Sequence, residues 1–377
     1  MSGDDNVLKL RRKVKRKFEE SAATLVSVRA DQIHARNVNW LWRNRFAIAK
    51  IGIIAGDPDQ GKSQVIADIA ARVTRGAPWP DGSGNAPLGR VIILNAEDTP
   101  EDTIKPRLMA ANANLQRITV VKATKKEGKE STFSLSEDLQ LLERMIDEMR
   151  DVKVVVIDPV TSYLGVKKMD SFRATDVRGI LEPLIRLAER KQVLILLIHH
   201  FNKNSMMTNA LHRLSDSGAF GAAPRIVWLC IPDPEDNDTI LFLRGRVANA
   251  RRNLTGLSYT IKEAVVEEDG EKIITSHIEW DEEPVNITAN EALAQGRAGR
   301  PSDKVDAATQ WLKDYLSRRE GRCAPAKVVK EQGEVYMHRP RTLERAASRL
   351  GIVVTRLESG KGKGQPTLWT LPQDDDE

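Results

Sequence analysis

Gly56-Asp57-Pro58-Asp59-Gln60-Gly61-Lys62-Ser63 spaces two glycines, a lysine and a hydroxyl as G-x-x-x-x-G-K-S. Residues so spaced can wrap a phosphate. The glycines let backbone N–H groups curl around it, and a helix start adds its positive dipole end. Lys62 would reach the β- and γ-phosphates of a nucleotide, and the Ser63 hydroxyl would take a place on Mg²⁺. Such a loop needs a strand before it and a helix after it. The apolar run Ile51–Ala55 supplies the strand, and a helix opening at Gln64 and running to Arg75 supplies the second element. Strand, loop and helix in that order predict a site for a nucleoside triphosphate with Mg²⁺, built from Gly56 to Gln64.

Three further groups stand at the ends of apolar runs. Val154-Val155-Val156-Ile157-Asp158 ends in a carboxylate, which at the C-terminal edge of a parallel sheet can hold Mg²⁺ directly or through water. Val91–Leu94 runs into Asn95-Ala96-Glu97-Asp98. Glu97 could orient and polarise a water attacking the γ-phosphate, with Asp98 or Thr99 capping the helix that follows. Val193–Ile198 runs into His199-His200-Phe201-Asn202-Lys203, where one histidine could sense the γ-phosphate while the other packs. Arg225, Arg244, Arg246, Arg251 and Arg252 come later. In a lone domain they would be surface charges; in a ring of subunits one or two could reach a neighbour's γ-phosphate.

The elements that must position these groups alternate. Strands are expected near Ile51–Ala55, Val91–Leu94, Val152–Ile157 and Val193–Ile198. Helices are expected near Gln64–Arg75, Thr99–Ala111, Ser136–Met149 and Thr175–Arg190. Ser134 and Glu137 have the spacing of a capping box for the third helix, and Pro183 should kink the fourth. Continuously apolar strands interleaved with helices predict an α/β fold, a mainly parallel sheet covered on both faces. Later strands at Ile226–Ile231, Thr239–Leu243, Tyr259–Ile261 and Ile273–Trp280 lack intervening helices and are expected to extend the sheet in antiparallel fashion.

The remainder divides by composition. Residues 1–35 form a basic N-terminal segment, dense in Lys and Arg between Val7 and Lys17, read as a solvated terminus. The ATPase core spans 36–281, a linker 282–302, partly helical near Asn290 to Gln295, and a small domain 303–372; an acidic tail, 373–377, closes the chain. The small domain carries three helical patterns, two strands and a glycine-lysine tip, the order of a winged helix-turn-helix. Arg339, Arg341, Arg345 and Arg349 could enter a major groove, with Lys361 and Lys363 on the wing, so duplex DNA is one partner to expect.

At 377 residues, 41% hydrophobic and 29% charged, the chain has the composition of a folded protein of two domains. No apolar run approaches the ~20 residues of a membrane span, and the charged start lacks a signal-peptide core, so a cytoplasmic protein is expected. Cys230 and Cys323 stand far apart without metal spacing. The net charge of +5 leans toward an anionic partner.

The series GDPDQGKS, ILNAEDTPEDTIKPRL, VVVIDPVTSYLG, LILLIHHFNK and DSGAFGAAPRIVWL resembles RecA-like ATPases of the RepA plasmid-helicase type, relatives of DnaB, over about Trp40 to Ile261. The resemblance implies a RecA core, often a hexamer, that couples ATP hydrolysis to movement on single-stranded DNA in replication of a phage, plasmid or integrated element. It implies Glu97 as catalytic carboxylate, Asp158 as the Mg²⁺ carboxylate, and His200, which starts the His-Phe-Asn-Lys loop, as the γ-phosphate sensor. Arg225 and Arg246 become candidate arginine fingers, although Arg244-Gly245-Arg246 departs from the lysine-containing pattern of some relatives. Lys203 and Asn204 are candidates for strand contact. Two other readings stay open: a DNA-binding regulator that uses hydrolysis only to switch assembly, and a recombination mediator that forms filaments.

Overall fold

Strands buried on both faces need continuous apolar runs, and those runs make the centre of the sheet. The computed structural model describes residues 27–126, 128–165, 174–202, 209–214, 220, 224–248, 250, 254–296, 302–338, 340–356 and 367–372. The chain divides into two units, Met1–Val38 and Asn39–Glu377. Of the first, the described part holds one 3₁₀ turn, Ala30–Gln32, with Arg29 paired to Asp31. The basic run of Val7 to Lys17 lies outside the described residues.

The second unit opens with a hairpin, β1 (Trp40–Trp42) and β2 (Phe46–Ala47), followed by β3 (Ile51–Gly56) and α1 (Lys62–Arg75). Then come β4 (Arg90–Asn95), a π turn over Pro100–Ile104 that runs into α2 (Lys105–Ala110), β5 (Ile118–Val121) and a small hairpin of β6 (Thr124–Lys126) and β7 (Lys129–Ser131). Next are α3 (Leu139–Met149), β8 (Val152–Asp158), α4 (Ala174–Lys191) and β9 (Leu194–His200). Four strands complete the sheet: β10 (Ile226–Asp233), β11 (Asp236–Val247), β12 (Leu257–Glu268) and β13 (Glu271–Trp280). After α5 (Ala289–Gln295), the carboxy-terminal segment holds α6 (Ser302–Ser317), β14 (Cys323–Pro325), α7 (Ala326–Val335), α8 (Pro340–Arg349), β15 (Val353–Arg356) and β16 (Thr367–Thr370).

The large sheet has the order β13-β12-β11-β10-β3-β9-β8-β4-β5. From β10 to β5 the neighbours run parallel, and β11 to β13 are antiparallel. The fold is α/β, a mainly parallel sheet with helices on both faces and β9 between the loop-bearing β3 and the Asp158-bearing β8. Alternation along each strand divides the core. Ile51, Ile53, Ile92, Leu94, Val155, Ile157, Ile195 and Leu197 pack with Leu142 and Ile146 of α3 and Leu181 and Leu184 of α4. The opposite face is covered by α1, which packs on β3, β4 and β8.

Several local expectations are corrected. β10 pairs in parallel with β3, so the antiparallel extension begins one strand later, at β11. No capping box forms at Ser134 and Glu137: α3 starts after Asp138, whose carboxylate accepts from the Ser134 N–H at 2.9 Å. The fourth helix forms as expected, with Pro183 inside α4 (Ala174–Lys191). The turn at Pro100 has no side-chain cap from Thr99, and Asp98 pairs instead with Arg107 at 2.8 Å.

Within the segment read as a linker, residues 285–293 pack on the sheet. A capping box of Thr288 and Glu291 starts α5, and Val285, Ala289, Ala292 and Leu293 join the sheet's core. Beyond it, α6, α7, α8 and the antiparallel sheet β14-β16-β15 have an apolar core of their own, around Leu312, Val329, Leu343, Ala346 and Trp369. Gly333 marks how closely α7 and α8 approach, since a Cβ there would sit 2.2 Å from Leu343 Cδ1. Arg345 does not point into solvent: it pairs with Asp233 and Asp236, across the β10–β11 turn. Arg349 pairs with Asp306. Arg339 and the tip with Lys361 and Lys363 lie outside the described residues, as does the Arg341 side chain.

Candidate nucleotide site

Parallel strands deliver their C-terminal ends to one edge, and the chemistry-bearing residues stand on that edge. β3 ends at Gly56, where a Cβ would lie 2.4 Å from the Cys230 carbonyl oxygen of β10. Only glycine allows that approach. Gly61, at φ 64°, turns the loop into α1 and makes no side-chain cap, so the first amides of the helix face the loop without a competing side chain. Asp59 also has positive φ, at 63°, a conformation that aspartate tolerates better than most. Lys62 is buried and donates from Nζ to the Asp57 carbonyl at 2.7 Å. Burial lowers its pKa, opposed by the neighbouring carboxylates of Asp158, Asp57 and Glu97.

Asp158 ends β8 in register with Asn95 of β4. Ser63 Oγ donates to Asp158 Oδ2 at 3.0 Å, and Asn95 Nδ2 approaches the same oxygen at 3.4 Å. Burial pushes the Asp158 carboxyl up to about 6, assisted by Asp98 and Glu97 and opposed by Ser63 and Lys62. A desolvated carboxylate beside a hydroxyl fits a hard divalent cation that takes its other ligands from phosphate and water. Among the described residues no cluster of three or more His, Cys, Asp or Glu could hold a metal. Mg²⁺ shared with a nucleotide needs no such cluster.

Glu97 is aimed by a turn not foreseen from the sequence. Asn95 Oδ1 accepts from the N–H groups of both Glu97 (2.9 Å) and Asp98 (2.7 Å). The Glu97 carboxylate then lies 3.5 Å from His200 Nε2. The paired histidines separate clearly. His199 is buried, its Nδ1 2.5 Å from the His200 carbonyl oxygen and its ring 4.6 Å from Phe220, and burial pushes it down to about 4. His200 is half-exposed toward Glu97, and its Nδ1 has no hydrogen-bond partner among the described residues.

Residues from far away in the sequence brace the loop. Tyr259 of β12 donates from its hydroxyl to the Gln60 carbonyl at 2.6 Å, and Ile261 packs where a Gly61 Cβ would point. Gln64 donates to Ser276 of β13 at 3.1 Å, which ties the start of α1 to the same hairpin. Arg213 pairs with Asp57 at 3.0 Å. Neither Tyr259 nor Arg213 has a sequence signal: the tyrosine sits in an ordinary strand run, and the arginine in a stretch without periodicity.

Arg225 and Arg246 do not join this cluster. β10 aligns Cys230 with Gly56 and Ile226 with Gly52, so Arg225 stands beyond the opposite end of the strand, roughly 16 Å from the loop at ~3.3 Å per residue. Arg246, across from Val227, lies at the same end. Both are exposed. Arg251, Arg252, Lys203 and Asn204 lie outside the described residues.

A separate wide cleft of about 780 Å³ lies between the carboxy-terminal segment and the antiparallel end of the sheet. Asp236, Asp238 and Glu283 face Lys330 and Arg345 there, and none of the loop residues lines it.

Residues 16–206, just over half of the chain, match the AAA domain family. Among solved structures the chain is similar to one described as an ATPase domain, with 12% identity over 72% of this chain and 99% of that one and a TM-score of 0.44. No curated protein matches it. No helix among the described residues is long and apolar enough to cross a membrane.

Proposed function

The chain belongs to the AAA domain family, and we propose that it is an Mg²⁺-dependent ATPase whose turnover drives movement on single-stranded DNA. One observation carries the catalytic half of this reading. Lys62, the Ser63–Asp158 pair at 3.0 Å and the Glu97–His200 pair at 3.5 Å converge on a single sheet edge.

Lys62 exchanges the Asp57 carbonyl for oxygens of the β- and γ-phosphates when ATP binds, and the backbone N–H groups between Gly56 and Gln64, all but that of Pro58, which has none, surround the β-phosphate. Ser63 and Asp158 would hold Mg²⁺, and the ion would draw charge off the phosphate oxygens. Glu97 accepts the proton of the attacking water as the new bond to the γ-phosphorus forms and the bond to the β–γ bridging oxygen breaks. ADP and phosphate leave. His200, held beside Glu97, senses whether the γ-phosphate is present.

Arg225 and Arg246 are too far from their own loop to serve it, which favours a role on the next subunit of a homo-oligomer, a hexameric ring by resemblance to the RepA type. Lys203 and Asn204, just past β9 in sequence, are the proposed contacts to single-stranded DNA. The carboxy-terminal segment is proposed as a winged helix-turn-helix, supported by its three helices and small antiparallel sheet. A replication role for a phage, plasmid or integrated element, in the cytoplasm, completes the reading.

Steady-state ATP hydrolysis with and without single-stranded DNA tests it. Stimulation by the strand, lost in Lys62→Ala and Glu97→Gln, is expected. Slow hydrolysis indifferent to single strands, together with sequence-specific duplex binding, would favour the regulator instead.

A further inference from the structure

Asp57 puts a carboxylate at the first variable position of the phosphate loop, where a triphosphate brings several more negative charges. That carboxylate is near enough to Lys62 to act on its ammonium. Arg213 answers it, with Nη2 donating to Asp57 Oδ1 at 3.0 Å and approaching Oδ2 at 3.4 Å. The Arg213 side chain is 8% exposed and that of Asp57 41%, so the arginine is the fixed partner.

Its fixing is visible in three contacts. The guanidinium lies 4.5 Å from the ring centre of Phe201, and the Arg213 carbonyl accepts from the Asn202 N–H at 2.8 Å. The Phe201 N–H in turn donates to the Gly56 carbonyl at 3.2 Å. Loop, strand end and arginine form one closed circuit. These contacts fix the direction of the guanidinium, although its buried Nε has no hydrogen-bond partner among the described residues.

We propose that Arg213 is a positioning residue of the nucleotide site, which draws the Asp57 carboxylate aside and cancels its charge so that the loop accepts an anionic triphosphate. The proposal rests on the reading of Gly56 to Gln64 as that site. Without the guanidinium, a bare carboxylate would face the phosphates at short range, enough to weaken binding about tenfold.

The test is a binding titration of a fluorescent ATP analogue on the full chain, with Lys62→Ala as blank and thermal melting as a check on folding. Arg213→Gln should weaken binding about tenfold, and 0.5 M salt should shrink that loss, because salt screens repulsion between partly exposed charges. In an Asp57→Asn background the same substitution should cost less than about twofold. Arg213→Lys, which keeps the charge and demands less of the fold, should fall between wild type and Arg213→Gln. Equal losses in both backgrounds, or a salt-independent loss, would assign Arg213 to folding alone and overturn the proposal. Wild-type protein that binds no nucleotide would remove the site reading itself, and the proposal with it.

Discussion

Burial moves Asp158 and His199 in opposite directions. Asp158 rises from 3.8 to about 6, so the folded chain takes its proton first and gains stability as pH falls through that window. His199 drops from 6.5 to about 4, so the unfolded chain takes its proton first and stability is lost over nearly the same range. The two slopes oppose each other and should leave wild-type stability nearly level from these groups. Asp158→Asn removes one of them. Denaturant titrations should then show a variant about 1–3 kcal/mol more stable than wild type at pH 7 without nucleotide, and steadily less stable on acidification toward pH 4. A variant no more stable at pH 7 would mean that the surroundings do not penalise the Asp158 charge. Glu97 should behave differently. It is half-exposed and hydrogen-bonded through its backbone, so Glu97→Gln should fold and bind ATP normally while turnover falls at least about 100-fold. Normal turnover in that protein would identify another residue as the base.

The elements show which parts of the site could be read from sequence. Strand, loop and helix around Gly56 to Ser63 were legible because all three are adjacent in the chain and each has its own local pattern. Asp158 and His200 were legible for a related reason, as polar groups ending apolar strands. The parallel pairing of β10 was not, because the direction of a strand is set by its partner and not by its own residues. The same holds for Arg213 and Tyr259, which reach the loop from 156 and 199 positions away. Asn95 was overlooked for a different reason: a side chain that aims a turn leaves no periodicity to detect. Tyr259 offers a direct check on how the β12–β13 hairpin supports the loop. Its buried hydroxyl satisfies the Gln60 carbonyl, so Tyr259→Phe should cost about 1 kcal/mol of stability and weaken ATP binding several-fold. Unchanged affinity in a titration would show that the loop holds its shape without the hairpin.

Across the whole molecule, the carboxy-terminal segment is engaged by the chain's own acidic turn. Arg345 sits between Asp233 and Asp236, Lys330 reaches Glu283 and Glu344, and Thr342 approaches Glu235 at 3.4 Å. Carboxylates thus occupy Arg345, one of the four arginines that the sequence pattern assigned to a DNA groove. The Arg345 and Asp233 side chains are largely buried, so removing the acidic partners leaves a cation poorly paired. Asp233→Asn with Asp236→Asn should speed proteolysis between Trp280 and Ser302 and raise duplex DNA affinity several-fold. Unchanged digestion would mean that apolar contacts alone hold the segment. The largest claim concerns coupling, since a motor must grip its track differently in different nucleotide states. The measurement that tests this most directly is the affinity of the Glu97→Gln protein for a labelled single-stranded oligonucleotide, with ATP and then with ADP. Affinities at least about tenfold apart are expected, and equal affinities in the two states would rule out a nucleotide-driven motor.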